Sequence, residues 1–227
     1  MIHLRAWRFW KWGEPEIQWL NRLVDPSRAA LDIGANLGLY AYFLRKYAKE
    51  VHCWEPNPEL QKLLHSAFGD SIQLHPYGLS SETGTATLSF PILNGVQYHG
   101  WGSLEKNFQE HPEVISHQIS LQKLDEENLP PVGFIKIDVE GHEFSVLQGA
   151  IQTLQKDRPN LLIEIEEQHA GSQFQDTFTL LHSLEYQPSY LQNGQFTPIK
   201  PEPSGEIHLP PDSIMILFTP KEKTLPG

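Results

Sequence analysis

The sequence predicts an α/β fold: a doubly wound, mostly parallel sheet of about seven strands in a single domain over residues 1–227. Three observations predict it. Short apolar stretches alternate with stretches of helical period for five rounds, the pattern of strand–helix–strand crossovers. A glycine turn, Gly34 to Gly38, separates the first strand from its helix. Two later strands carry carboxylates at alternate positions, where a central parallel strand is normally apolar on both faces. Right-handed crossovers bring every strand-to-helix turn to one edge of such a sheet, where ligands gather.

Composition narrows the partners. The chain has 227 residues, 39% hydrophobic and 20% charged, enough for a packed core. A formal net charge of -11 argues against a nucleic-acid backbone as the main partner, since phosphate binding needs clustered cations. The single cysteine, Cys53, excludes an internal disulfide and a cysteine-based zinc site, and its apolar surroundings suit a reduced thiol in the cytoplasm. No apolar run approaches the ~20 residues of a transmembrane segment.

The elements follow in order. Residues 1–25 form an N-terminal helical segment. Its first part, Met1 to Gly13, sets Trp7, Phe9, Trp10 and Trp12 among Arg5, Arg8 and Lys11. It lacks the apolar core of a signal peptide and suits a segment docked on the domain better than a membrane-surface helix. Glu14 to Leu23 is helical, with Ile17, Leu20 and Leu23 on one face and Pro15 in the first turn. Asp25-Pro26-Ser27 turns into the first strand, Ala29 to Ile33, and a helix runs from Leu37 to Lys49. Val51 to Glu55 is the second strand, Glu59 to Phe68 a helix, and Ile72 to Tyr77 the third strand, closed by Gly78-Leu79-Ser80.

The rhythm then changes. Thr83 to Phe90 and Val114 to Leu121 alternate as an antiparallel pair, so residues 83–122 read as an insertion between the third and fourth main strands. Gly133 to Val139 is the fourth strand, Gly141 to about Leu154 a helix, Asn160 to Ile165 the fifth strand, and Phe174 to Leu184 a helix. Tyr186 to Leu191 and Ser213 to Phe218 form a hairpin-like end around a Pro- and Gly-rich excursion, Pro198 to Pro211. Residues 221–227 are a tail.

The glycine turn reads D-x-G-x-N-x-G over Asp32, Gly34, Asn36 and Gly38. A dinucleotide fingerprint needs G-x-G-x-x-G, and Asn36 and Leu39 stand where its later glycines belong, which weakens an NAD-linked oxidoreductase. The pattern present resembles the first motif of class I methyltransferases, which have a Rossmann-like sheet and bind S-adenosylmethionine (SAM). Glu55, at the end of the second strand, is placed for the vicinal hydroxyls of a nucleoside ribose, since a carboxylate offers two acceptor oxygens. The resemblance gives Asp32 the role of holding the glycine loop and the cofactor's amino group. It puts Gly78, Leu79 and Ser80 beside the adenine.

The second unusual stretch is Phe134 to Glu143. Lys136, Asp138 and Glu140 alternate with Ile135, Ile137 and Val139, and Glu164 and Glu166 alternate with Ile163 and Ile165 before His169. KIDVEG-x-E-x-x-VL-x-G at Lys136 to Gly149, after LDIGAN-x-G at Leu31 to Gly38, resembles the FkbM family of SAM-dependent methyltransferases. Leu124-Asp125, Arg158-Pro159 and Glu164 match its layout, and the likeness runs from Glu14 to Leu184. It implies an O-methyltransferase acting on a hydroxyl of a small molecule, sugar or other natural product. The alternative is a SAM-binding module without catalysis.

An alcohol is a poor nucleophile, so a base or a metal ion should assist it. The candidate catalytic residues are Asp138, His142, His169 and Glu164; His142 stands where many relatives have a small residue. Asp138 also belongs to the candidate cofactor site. Asp138, Glu140, Glu164 and His169 could instead hold a divalent cation, although no compact metal motif is present. Tyr98 to Ser103, with Trp101 between two glycines, suits either a lid over a sugar ring or an anchored surface loop.

Overall fold

The computed structural model describes residues 14–93, 96–97, 104, 113–165, 173–209 and 214–225. The main sheet begins with β1 (Ala29–Ile33), β2 (Glu50–Trp54) and β3 (Gln73–His75). It continues with β8 (Val132–Ile137) and β9 (Asn160–Glu164), and the chain closes it with β10 (Tyr186–Gln192), β11 (Gln195–Pro198) and β12 (Met215–Pro220). The order is β11-β10-β12-β9-β8-β1-β2-β3, eight strands where about seven are expected. β3, β2, β1, β8 and β9 run parallel, β12 pairs antiparallel with β9, and β10 pairs antiparallel with β12. The order reverses between β1 and β8, which opens a crevice at the carboxyl ends of those strands.

Side-chain alternation splits the core in two. Leu31, Ile33, Ile135, Ile137, Leu161 and Ile163 face one layer, with Val146, Leu147, Leu154, Phe174 and Phe178 packed on them. Ala30, Val51, Cys53, Phe134 and Leu162 face the other, under Tyr40, Ala41, Leu44, Leu64 and Phe68. The first layer comes from α4 (Glu143–Gln148), α5 (Ile151–Asp157) and α6 (Gln173–Ser183). The second comes from α2 (Leu39–Leu44) and α3 (Pro58–Phe68), together with the N-terminal turn and α1 (Leu20–Leu23). Cys53 is a buried free thiol.

Three helices differ from the sequence-based expectation. Glu14 to Leu23 opens as a 3-10 turn, Pro15–Trp19, before α1. The helix begun near Leu37 is regular only over α2. The helix expected from Gly141 to about Leu154 breaks into α4 and α5 at Gly149. A Cβ on Gly149 would lie 2.0 Å from the Ser80 carbonyl oxygen, so the chain narrows there to let another backbone pass. Asp125 restarts the helix by accepting the N–H groups of Gln152 and Thr153 at 2.9 and 2.8 Å.

The insertion is a sheet of its own. β5 (Gly84–Leu93) pairs antiparallel with β7 (Val114–Gln122). β4 (Gly78–Leu79), expected only as the close of the third strand, pairs parallel with the end of β7, and β6 (Val96–Gln97) adds to β5. Leu88, Phe90, Ile119 and Leu121 form a small apolar cluster on its inner face. No helix among the described residues is long and apolar enough to cross a membrane.

Candidate functional site

The glycine turn is built around β8 and β2. Gly34 and Gly38 sit at φ 81° and 79°, and Asn36 at 48°, a conformation asparagine tolerates better than most side chains. The N–H groups of Gly34 and Ala35 both bond the Trp54 carbonyl at 3.0 Å, pinning the turn to the end of β2. A Cβ on Gly34 would stand 1.8 Å from the Asp138 carbonyl oxygen. A Cβ on Gly38 would enter the Phe68 ring at 2.4 Å, so Gly38 serves helix packing.

Glu55 closes this turn from the neighbouring strand. One carboxylate oxygen accepts the N–H of Asn36 at 2.8 Å, and the other accepts that of Asn57 at 2.8 Å. Burial pushes its carboxyl up to about 7, against the pull of those two N–H groups. Asp32 lies deeper, under α2, where it accepts the N–H of Ala41 at 2.9 Å. Burial raises it to about 7, although the Lys136 ammonium opposes that.

The tips of β8 and β9 deliver the acids. Ile137 pairs with Ile163, so Asp138 and Glu164 emerge side by side one residue on. Asp138 is tied to β1 by its N–H to the Ile33 carbonyl at 3.0 Å. Burial, then the Asp138 carboxylate, push Glu164 up to about 8, with Lys136 pulling the other way. After Asp138 the chain turns through Glu140 at φ 55° and Gly141 at φ 98°. Glu143 braces this turn by accepting the N–H of Gly141 at 3.0 Å. His142 then reaches Ser80 across the crevice, Nε2 to Oγ 2.9 Å, both residues buried.

These parts meet in one cleft of about 280 Å³. Of the residues expected from the sequence, Gly34, Asn36, Glu55, Gly78, Leu79, Asp138, Glu140, His142 and Glu164 line it. Asp32, Gly38 and Ser80 are not among its lining residues and support it from behind. Leu88, Phe90, Leu104 and Ile119 of the insertion add an apolar wall to the same cleft, a role the sequence did not suggest. His169, the Tyr98 to Ser103 stretch and Met1 to Gly13 lie outside the described residues. Among the described residues no group of three or more His, Cys, Asp or Glu side chains is arranged to hold a metal ion. Of the acids expected as metal ligands, Asp138 has a lysine for a neighbour: Lys136 Nζ stands 3.3 Å from Asp138 Oδ2.

The three carboxyls raised furthest set a pH dependence, and the smaller rises at Glu16 and Glu143 act in the same direction. Asp32, Glu55 and Glu164 stay protonated in the fold after the unfolded chain has ionised. The folded state therefore holds more protons between about pH 4 and pH 8, and stability falls as pH rises through that window. The melting temperature of the ligand-free protein is expected to drop on the order of 5 °C between about pH 5.5 and pH 8. Glu164→Gln should flatten part of that slope; a flat profile in the parent protein would contradict the burial of these acids.

Residues 32–188 match the family model of the methyltransferase FkbM domain. Hexuronic acid methyltransferase AglP of Haloferax volcanii is 32% identical over 156 residues, which cover 66% of this chain and 59% of that protein. Methyltransferase 1 of Beauveria bassiana is 29% identical over 143 residues, 52% of this chain and 57% of that one. The crystal structure of methyltransferase FkbM from Methylobacillus flagellatus superposes with a TM-score of 0.54 at 20% identity, over 86% of this chain and 44% of that one. The chain thus spans less than two thirds of the length of each of these relatives.

Proposed function

The chain belongs to the FkbM methyltransferase family, and on that premise we propose that it is a SAM-dependent methyltransferase acting on a hydroxyl of a sugar or related small molecule. The observation that carries the reading is the single cleft lined together by Gly34 and Asn36 of the glycine turn, Glu55, Asp138, Glu140, His142 and Glu164.

The residues fit the cofactor. Each Glu55 oxygen has given one lone pair to a backbone N–H, and a carboxylate keeps a second on each for a pair of vicinal hydroxyls. Trp54, Leu60, Leu79 and Ile119 offer apolar walls to an adenine beyond Gly78. Ser80 supports that wall through His142, and Asp32 fixes the start of α2 behind the turn. When bound, SAM supplies a methyl group already activated on a sulfonium.

The chain's task is then to hold the acceptor hydroxyl in line and to take its proton. Asp138, Glu164 and His142 border the cleft where that hydroxyl would lie, and His169 follows β9 by five residues. Glu164, raised to about 8, is the acid whose affinity for a proton best matches a base working near neutral pH. The sugar-type acceptor is supported by the hexuronic acid methyltransferase relative.

Calorimetry with S-adenosylhomocysteine (SAH) and labelled methyl transfer from SAM to a panel of glycosides and uronic acids, with and without EDTA, test the reading. His142→Ala is expected to leave SAH affinity within about threefold and to change turnover. SAH binding without transfer to any hydroxyl would leave a binding module instead.

A further inference from the structure

We infer that Lys136 is a positioning residue of the transfer reaction: from beneath the cleft it holds the Asp138 carboxylate beside Glu164, and Tyr40 and Glu14 hold Lys136 in turn. The inference rests on the methyl-transfer reading and extends it to three residues outside the cleft lining.

Lys136 is 1% exposed, one residue before the end of β8, on the face that packs under α2. Its ammonium lies 3.3 Å from Asp138 Oδ2 and 4.9 Å from the centre of the Tyr40 ring. The Tyr40 hydroxyl donates to Glu14 at 2.5 Å, which fixes the ring from its far side. Burial alone would lower the lysine's pKa. Asp138, Glu164, Glu14 and Asp32 outweigh it and keep the ammonium charged. An apolar side chain would fill this position at less desolvation cost, so a charge kept in the core calls for a task.

The task follows from the geometry. Asp138 and Glu164 stand on adjacent strand tips, close enough for the Asp138 carboxylate to raise the proton affinity of Glu164. Without the Lys136 ammonium the Asp138 carboxylate would lose its ion-pair partner and swing away, which strips negative charge from the cleft. In the reaction a C–O bond forms as the C–S bond breaks, with the electron pair going to sulfur. The acceptor oxygen carries positive charge until its proton passes to a carboxylate. The Asp138 carboxylate, held at the cleft by its ion pair with Lys136, lowers the energy of that charge.

The test needs no acceptor. Sinefungin, a SAM analogue with an ammonium in place of the sulfonium methyl, reports the field at that point; SAH, neutral there, reports the rest of the site. The full chain is expected to prefer sinefungin over SAH by about tenfold, and Lys136→Met to cut that preference to about twofold while keeping SAH affinity within about threefold. Lys136→Arg should restore most of the preference. Plain removal of a positive charge would strengthen sinefungin binding, so a preference unchanged or increased in Lys136→Met overturns the inference, as does a parent protein with no preference. Should Lys136→Met not fold, Tyr40→Leu decides by the same readings. Failure of both ligands to bind the parent chain would instead defeat the methyl-transfer reading.

Discussion

Gly34→Ala is expected to destabilise the fold by roughly 2–6 kcal/mol, the sum of backbone strain and overpacking, or to prevent folding. Gly34 sits at φ 81°, where an L side chain is strained. The added methyl would lie 1.8 Å from the Asp138 carbonyl oxygen and 2.9 Å from its carbon. Neither atom can move cheaply, because the Asp138 N–H is bonded to Ile33 and the Gly34 N–H to Trp54. Urea unfolding followed by circular dichroism measures the loss. An unchanged midpoint would mean that β8 does not pass against the turn as described. Gly194, with nothing within 4 Å of an added Cβ, is the control for φ alone, since its φ is 76°.

Glu55→Ala is expected to abolish SAH binding, a loss of at least about 100-fold, because the change removes the proposed ribose acceptor and unties the turn together. The Asn36 and Asn57 N–H groups each lose a charge-assisted partner. Glu55→Gln separates the two contributions, since its amide oxygen can still accept one of the two N–H groups. It should fold like the parent protein yet bind SAH at least about tenfold more weakly. Unchanged affinity in both variants, read by calorimetry, would remove the ribose assignment.

The frame was legible because its signals are local. β1, β2, β8 and β9 are short apolar runs ended by glycine, proline or acids, and periodicity finds those without tertiary help. The site was legible in part for the same reason: Glu55, Asp138 and Glu164 are strand tips, and crossover handedness brings strand tips to one edge. Glu14 and Tyr40 escaped because their contact joins residues 26 positions apart, and Tyr40 taken alone is one more apolar helix position. β11 escaped through an unread signal. Asn193-Gly194, at φ 51° and 76°, makes a two-residue hairpin between Gln192 and Gln195, and Asn-Gly between alternating segments is a strong hairpin mark. Gly149 gave no local cue, since the backbone that forbids a side chain there arrives from Ser80.

The inserted hairpin leaves and rejoins the frame at a single point. Gly84 pairs with Leu121, and Leu121 also pairs with Gly78 of β4. An exchange of residues 84–122 between relatives would therefore splice two junctions that already touch, leaving β1, β2, β8 and β9 undisturbed. The apolar wall of the cleft is in that sense a cassette: trading one contiguous piece of gene would reline the pocket while the strand tips that carry Glu55, Asp138 and Glu164 stay in place.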